Sequence, residues 1–325
     1  MYKLSDISVI MPTYNRANEV QETLKSLAPL SKDLLEVIIS DQSKNNETRE
    51  IIRKLNNKKI KYLYSETPSI TIARNLGVKY LSLKTRIVCF LDDDVTLHKS
   101  YFKEILKIFN QYPNAMASAG VDDSSYWNEK KKSLIHYVVK KIFFLGHYEM
   151  NKARIISAYG NTYAKNLRKV ITAEWIPGVN MCYKREVFDE QRFDSNLLGY
   201  TVAEDIDFSY RLFKKCPESI FITPRAILKH RASQVERQPT KRLAYINQVD
   251  HFYFNFKNLN RTVKEKLIFA WSLLGISLLR VFEFVMLPNK NNKLKLNYFA
   301  ESLVYCLKNL AIIRAGRVRE FDKSI

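Results

Sequence analysis

Eight glycines and nine prolines in 325 residues are too few for a collagen-like, fibrous or low-complexity chain. Cysteine is equally sparse: Cys89, Cys182, Cys216 and Cys306 are widely separated, which argues against a disulfide scaffold. Cys89 and Cys182 lie inside apolar runs where a thiol serves as a small buried hydrophobe. All four are expected to be reduced, as in a cytosolic protein. The opening MYKLSDISVIMPTYN has no uninterrupted apolar stretch followed by a small-residue cleavage site, so no secretory signal is expected. Neither GxGxxG nor GxxxxGK[ST] occurs, which leaves a Rossmann dinucleotide site and a P-loop unsupported. There is no G-x-S-x-G elbow, and His98, His136, His147 and His251 form no metal-ligand spacing.

What the chain does have is apolar and basic. Hydrophobic residues make up 46% and aromatic residues 12%, enough to build a substantial core, so global disorder is excluded. Lys and Arg number 53 against 33 Asp and Glu, a net charge of +20. The excess is local: +3 over residues 1–123, +8 over 124–170, −1 over 171–230 and +10 over 231–325. A near-neutral body with basic additions suits docking to an anionic surface, either a membrane face or a nucleic acid.

Apolar runs alternate with helical periods. ISVIM from Ile7 leads through PTYNR to VQETLKSL. EVIIS (36–40) ends in Asp41 before ETREIIRKL, and IKYLY (60–64) precedes ITIARNLGVKYL. RIVCFL (86–91) ends in Asp92, Asp93 and Asp94 before KSYFKEILKIF. This alternation predicts an α/β fold with a parallel sheet and helices on both faces. The loops at the carboxyl ends of its strands then converge where ligands bind. Residues 124–170 are basic, aromatic and irregular, and are expected to be an insertion in a catalytic domain spanning 1–231. Residues 232–325 are expected to be a basic, helical C-terminal region.

Three consecutive carboxylates at a strand end repel one another and need a counter-charge. Hard oxygen ligands so placed suit Mg²⁺ or Mn²⁺, sharing its coordination sphere with a diphosphate. The competing reading is a helix N-cap, since Asp94 precedes a helical period. A second acidic group, Glu204, Asp205 and Asp207, opens another helix, where a carboxylate can cap the helix or act as a general base. His230 lies in a strand-like run and gains interest only beside a metal.

In order along the chain, PTYNR, Asp41, ARNLG (73–77), LDDD, PGVNMCYKREVF and AEDIDFSYRL closely resemble the family 2 glycosyltransferases of the GT-A fold, over roughly residues 5–231. That resemblance implies an enzyme moving a sugar from a nucleotide-diphosphate donor to a hydroxyl of a glycan or lipid-linked glycan, with inversion at the anomeric carbon and with Mg²⁺ or Mn²⁺. It implies that Pro12, Thr13, Tyr14 and Arg16, with Asp41, hold the nucleoside, and that Arg74 contacts the base or diphosphate. Asp92 would address the ribose and Asp94 the metal, with Asp93 open to either frame. Gly178 and Asn180 would line the sugar and acceptor side. Asp205 would be the base with Glu204 beside it, and His230 a further metal ligand. A bacterial surface-polysaccharide setting is implied, with the enzyme peripheral at the cytoplasmic face of an anionic membrane.

Leu267–Leu287 is apolar apart from Arg280 and Glu283, a pattern open to an interfacial helix, a membrane span or a helix packed on protein. Two other classes stay open on the residues alone. One is a nucleic-acid binder, from the basic, aromatic segment Trp127 to Phe144. The other is a glycoside hydrolase using the paired carboxylates Asp94 and Asp205.

Overall fold

Continuous apolar runs become fully enclosed strands. In the computed structural model, which describes residues 1–123, 134–165, 167–235 and 240–323, β1 (Ile7–Thr13), β2 (Glu36–Asp41) and β4 (Ile87–Leu91) are buried at every position. β3 (Ile60–Tyr64) alternates between half-buried and exposed, as an edge strand does. These four pair in parallel in the order β3-β2-β1-β4. Their connections are α1 (Ala17–Ser31), α2 (Glu47–Leu55) and α3 (Ile70–Lys79). Inside β1, Ser8 donates to Glu36 Oε1 (2.8 Å), and Glu36 is in turn paired with Lys61. Trp127 and the Lys130–Lys132 run of the expected insertion lie outside the described residues.

Beyond β4 the sheet is mixed, which corrects the expectation of a parallel sheet. β11 (Asn180–Lys184) inserts between β4 and β6 (Ala117–Asp122) and runs antiparallel to both. The physical reason is where the chain re-enters: Asn180 pairs with Leu91 at the carboxyl end of β4, so a strand starting there has to run back toward its amino end. β12 (Ile220–His230) follows parallel to β6 with a register break between Ile222 and Ile227. Pro224, which has no amide hydrogen to give a ladder, falls inside that break. Past the break β12 pairs with β5 (Val95–Leu97), setting His230 opposite Val95. β10 (Ile171–Thr172) closes that edge.

The described residues group into two compact units. One comprises Met1–Glu129, Asn166–Ser195 and Glu204–Arg237. The other comprises Lys130–Lys165, Asn196–Ala203 and Gln238–Ile325. Residues 130–165 and 196–203 thus group with the C-terminal region. The second unit contains α5 (Leu134–Ile142), the small sheet of β7 (His147–Met150), β8 (Ile155–Ser157) and β9 (Gly160–Lys165), and the helices α8 (Thr240–Phe254), α9 (Val263–Met286), α10 (Lys290–Lys308) and α11 (Leu310–Arg314). Within it the buried carboxylate of Asp250 pairs with Arg319 (2.6 Å) and accepts from Thr201 Oγ1 (2.7 Å), while Arg319 also donates to the carbonyls of Leu198 and Tyr200. All four cysteines are free thiols.

Gly120 permits the β6–β12 approach. A Cβ there would sit 2.0 Å from the carbonyl oxygen of Ala226 and 2.9 Å from the Tyr101 ring. A Cβ at Gly77 would meet only the side chain of Ile10, at 2.5 Å. Gly120→Ala is therefore expected to cost about 1–3 kcal/mol or more. Gly77→Ala should cost less, since a side chain yields where a backbone carbonyl does not and alanine favours the helix. Urea denaturation midpoints of the two variants measure the difference.

Candidate active site

β1 and β4 are parallel neighbours, so the PTYNR loop and the aspartate triplet emerge side by side at one edge of the sheet. The chain after Asp94 enters β5, and the following helix α4 (Tyr101–Gln111) starts behind Ser100. The aspartates thus cap no helix, and the capping reading falls away.

The three carboxylates face different partners. Asp93 is buried, accepts from Thr13 Oγ1 (2.7 Å) and pairs with Arg16 Nη1 (2.8 Å). Burial pushes its carboxyl up to about 7, against the pull of Arg16 and Thr13. Asp94 Oδ2 accepts from Arg16 Nη2 (2.6 Å) and from the Ser233 amide (3.0 Å), while Oδ1 meets His230 Nε2 at 2.9 Å. Burial opposes its ionisation, but the His230 hydrogen bond and charge, with Arg16, hold its carboxyl well below the usual range. His230 moves the other way: burial disfavours its charge, yet Asp94 and Asp92 raise it overall. Asp92 is half-buried and lies 3.8 Å from Arg74 Nη2.

One ligand atom from each of Asp92, Asp94 and His230 lies within 4.8 Å of the others. Two carboxylates and an imidazole converging so closely form a donor set that suits Mn²⁺ or Mg²⁺. The residues therefore fit a divalent cation, with Asp92 joining Asp94 and His230. Asp93, turned to Arg16 and Thr13, stands apart from that set.

The second acidic group meets the first through one side chain. Arg74, 1% exposed on α3, places Nη1 2.9 Å from Glu204 Oε1, Nη2 3.3 Å from the Gly178 carbonyl and 3.8 Å from Asp92. Its guanidinium also covers the Phe193 ring at 5.2 Å. Asp205, half-buried in the first turn of α7 (Glu204–Lys215), accepts from the Gly178 amide through Oδ2 (2.7 Å) and from the Ile206 amide through Oδ1 (2.7 Å). Burial raises its carboxyl, while Arg74 and the two amides lower it; the net shift is upward. A Cβ at Gly178 would lie 3.1 Å from Arg74 and 3.3 Å from Asp205, so glycine is what lets the backbone come this close.

Several residues expected at the site are enclosed and bonded to the chain's own groups. Asp41 is fully buried: Oδ1 accepts from the Ser43 amide and hydroxyl, and Oδ2 from Tyr62 (2.9 Å). Asn180 is fully buried, its Oδ1 accepting from the Gly120 amide (2.7 Å) and Tyr101 (3.3 Å), so it ties β11 to β6 and α4. Arg74 and Glu204 are spent on each other. Pro12 and Thr13 are buried at the end of β1, whereas Tyr14 and Arg16 are half-buried at the loop.

Arg231 escaped the sequence reading. Its guanidinium donates to the Val95 carbonyl (2.8 Å), the Glu19 carboxylate (3.1 Å) and Thr23 (3.0 Å), and its amide donates to the Asp94 carbonyl (2.9 Å). It thereby fixes the turn that carries Asp93 and Asp94 against α1. Its only sequence signal is its position next to His230.

The model of Glycosyl transferase family 2 matches residues 8–191, more than half of the chain. The chain belongs to glycosyltransferase family 2. This family 2 chain is 23% identical over 197 residues to glycosyltransferase GlyA of Streptococcus pneumoniae serotype 4, covering 59% of the chain and 26% of GlyA. It is 32% identical over 107 residues to the poly(ribitol-phosphate) beta-N-acetylglucosaminyltransferase TarP of Staphylococcus aureus, covering 31% of the chain and 32% of TarP. The matches thus span about a quarter to a third of the length of these curated relatives. Among solved structures, TarS 1–349 of S. aureus with UDP-GlcNAc superposes with a TM-score of 0.56 at 15% identity, over 96% of this chain and 88% of that one. The mannosyltransferase PcManGT of Pyrobaculum calidifontis gives 0.56 at 14% identity, over 94% and 87%. The family 2 chain has the GT-A fold, and neither the nucleic-acid nor the hydrolase reading is favoured.

Burial, with the neighbouring charge of Asp205, pushes the Glu204 carboxyl up to about 8 against the pull of Arg74. An unfolded glutamate titrates near 4, so the stability this raised pKa contributes is complete below about pH 4 and is lost as pH rises toward 8. Arg74→Met removes the opposing cation and is expected to destabilise by about 3–5 kcal/mol at pH 8. The cost should be smaller at pH 6, where Glu204 can take up a proton, and Glu204→Gln in the same chain should recover most of it. Denaturant titrations at the two pH values in EDTA check this; equal costs at both would refute the coupling.

Proposed function

We propose that the protein is an inverting glycosyltransferase that moves a sugar from a nucleotide-diphosphate donor to a hydroxyl of a glycan or lipid-linked glycan, with Asp205 as general base. The observation that carries this reading is the pairing of two acidic groups across Arg74: a cluster suited to a cation on one side and the half-buried carboxylate of Asp205, held by the Gly178 amide, on the other. The solved neighbours support the donor class, since TarS is bound to UDP-GlcNAc and PcManGT to GDP-Man and Mn²⁺. TarP's action on poly(ribitol-phosphate) supports a surface-glycan acceptor. A peripheral position at the cytoplasmic face of a membrane would bring the enzyme to such an acceptor.

In the reaction the acceptor oxygen attacks the anomeric carbon as its proton passes to Asp205. The bond from that carbon to the diphosphate oxygen breaks, and the electron pair leaves with the nucleotide. A divalent cation held by Asp92, Asp94 and His230 would supply Lewis-acid neutralisation of the leaving diphosphate. The Gly178 amide orients Asp205 through Oδ2, and the raised carboxyl pKa brings the base nearer the pH at which it works. Arg16 holds Asp93 and Asp94 in place, and half-buried Tyr14 of the first loop would meet the nucleoside. A single displacement uses no enzyme nucleophile.

Calorimetric titration of nucleotide diphosphates and their sugars, with Mn²⁺ or EDTA, tests the site. Binding of one nucleotide is expected to require metal and to be lost in Asp94→Asn. Asp205→Asn should keep that binding and lose transfer by about 10²–10⁴-fold. Release of free sugar from an oligosaccharide with no nucleotide present would overturn the reading.

A further inference from the structure

The second unit carries an apolar face that its own packing leaves uncovered. α9 is 24 residues long and, by length and composition, apolar enough to cross a membrane. Leu267, Leu274, Leu278, Val281 and Val285 are all exposed, Leu267 and Val285 by 66% and 63%. Their spacings of three, four and seven residues put them on one stripe of the helix. A row of that length is far more than the scattered apolar residues of an ordinary surface.

The opposite side of α9 is committed to protein. Ser272, Gly275 and Leu279 are buried, and a Cβ at Gly275 would sit 2.1 Å from Phe143. The Trp271 ring stacks on Phe143 (4.7 Å between centroids) and its Nε1 donates to the Ile142 carbonyl at 2.8 Å. Arg280 and Glu283 pair at 2.9 Å in the last third of the helix. A helix so held has one face to give to lipid and cannot present all sides to it, which favours lying in the interface over spanning.

Charge selects the occupant. Lys264 and Lys266 flank the start of the stripe, and Lys290, Lys293 and Lys295 follow its end; all five are exposed. A second copy joined face to face would set like charges against like, because a two-fold interface is self-complementary. An anionic lipid surface accepts both the apolar stripe and the lysines. We propose that α9 docks in the interfacial layer of an anionic bilayer, stripe inward, with these lysines against the headgroups. This deepens the peripheral placement offered with the transferase reading, but lipid binding needs no donor and is measured apart from nucleotide binding.

Full-length protein is sedimented with phosphatidylcholine vesicles, with or without about 30% phosphatidylglycerol. Wild type is expected to sediment with the anionic vesicles only and to be released by high salt. Leu274→Ser with Leu278→Ser should lower partitioning at least about tenfold while leaving the melting temperature and metal-dependent nucleotide binding unchanged. Changing Lys290, Lys293 and Lys295 together to Gln should lower it about a hundredfold, and decides the matter if the serine variant fails to fold. The proposal is overturned if wild type stays in the supernatant, or if either variant binds as wild type does. Resistance to alkaline carbonate extraction would overturn it in favour of a span. A dimer abolished by the serine substitutions, with vesicle binding intact, would overturn it in favour of a second copy.

Discussion

Two groups of carboxylates, one at the end of β4 and one at the start of α7, stand close together in a buried setting, and the guanidinium of Arg74 is what makes that tenable. It lies 2.9 Å from Glu204 and 3.8 Å from Asp92. Removing such charges from water is costly unless they are paired and hydrogen-bonded. A lysine would give a point charge in place of a planar fork able to face Glu204, Asp92 and the Gly178 carbonyl at once. The ring of Phe193 beneath the guanidinium limits where that fork can move.

The backbone geometry around this pairing follows from it. Gly178 presents its amide to Asp205 and its carbonyl to Arg74, so a single peptide segment touches both halves of the site. Asn15 adopts a left-handed conformation (φ 53°) and bonds Ser43 and Lys44, tying the loop after β1 to the loop after β2. Asparagine tolerates that conformation better than most residues. Arg16 then arrives one residue later with both aspartates in reach. Asp93 turns to Arg16 and Thr13 while Asp92 and Asp94 converge with His230, so three identical residues in a row have different partners.

The four β-α repeats and the meeting of their loops were legible because strand ends in parallel neighbours have no choice but to converge. The order of motifs pointed to the family for the same reason. The antiparallel β11 was not legible, since PGVNMCYKREVF reads as a buried strand in either direction and only its pairing with Leu91 fixes the sense. Asp41 and Asn180 are cases that spacing does not separate, since a polar residue at a strand end can face a ligand or satisfy the chain's own groups, and both are bonded within the chain. Arg231 was invisible because its partners, Glu19, Thr23 and Val95, are scattered along the chain. The grouping of 196–203 with the C-terminal region depends on Asp250 and Arg319, which no local pattern links to that loop.

The arginines close to the site are already occupied by acids of the chain itself: Arg16 by Asp93 and Asp94, Arg74 by Glu204, and Arg231 by Glu19. His230 is held against Asp94 in the same way. An incoming diphosphate brings more negative charge to this edge, where Arg16, Arg74, Arg231 and His230 already face acids. The convergence of Asp92, Asp94 and His230 fits a cation that would add to that positive charge. The same accounting explains why the body is nearly neutral while the segments 124–170 and 231–325 carry most of the +20. Charge inside the site is balanced locally, so the surplus is left to act on what the protein meets at its surface.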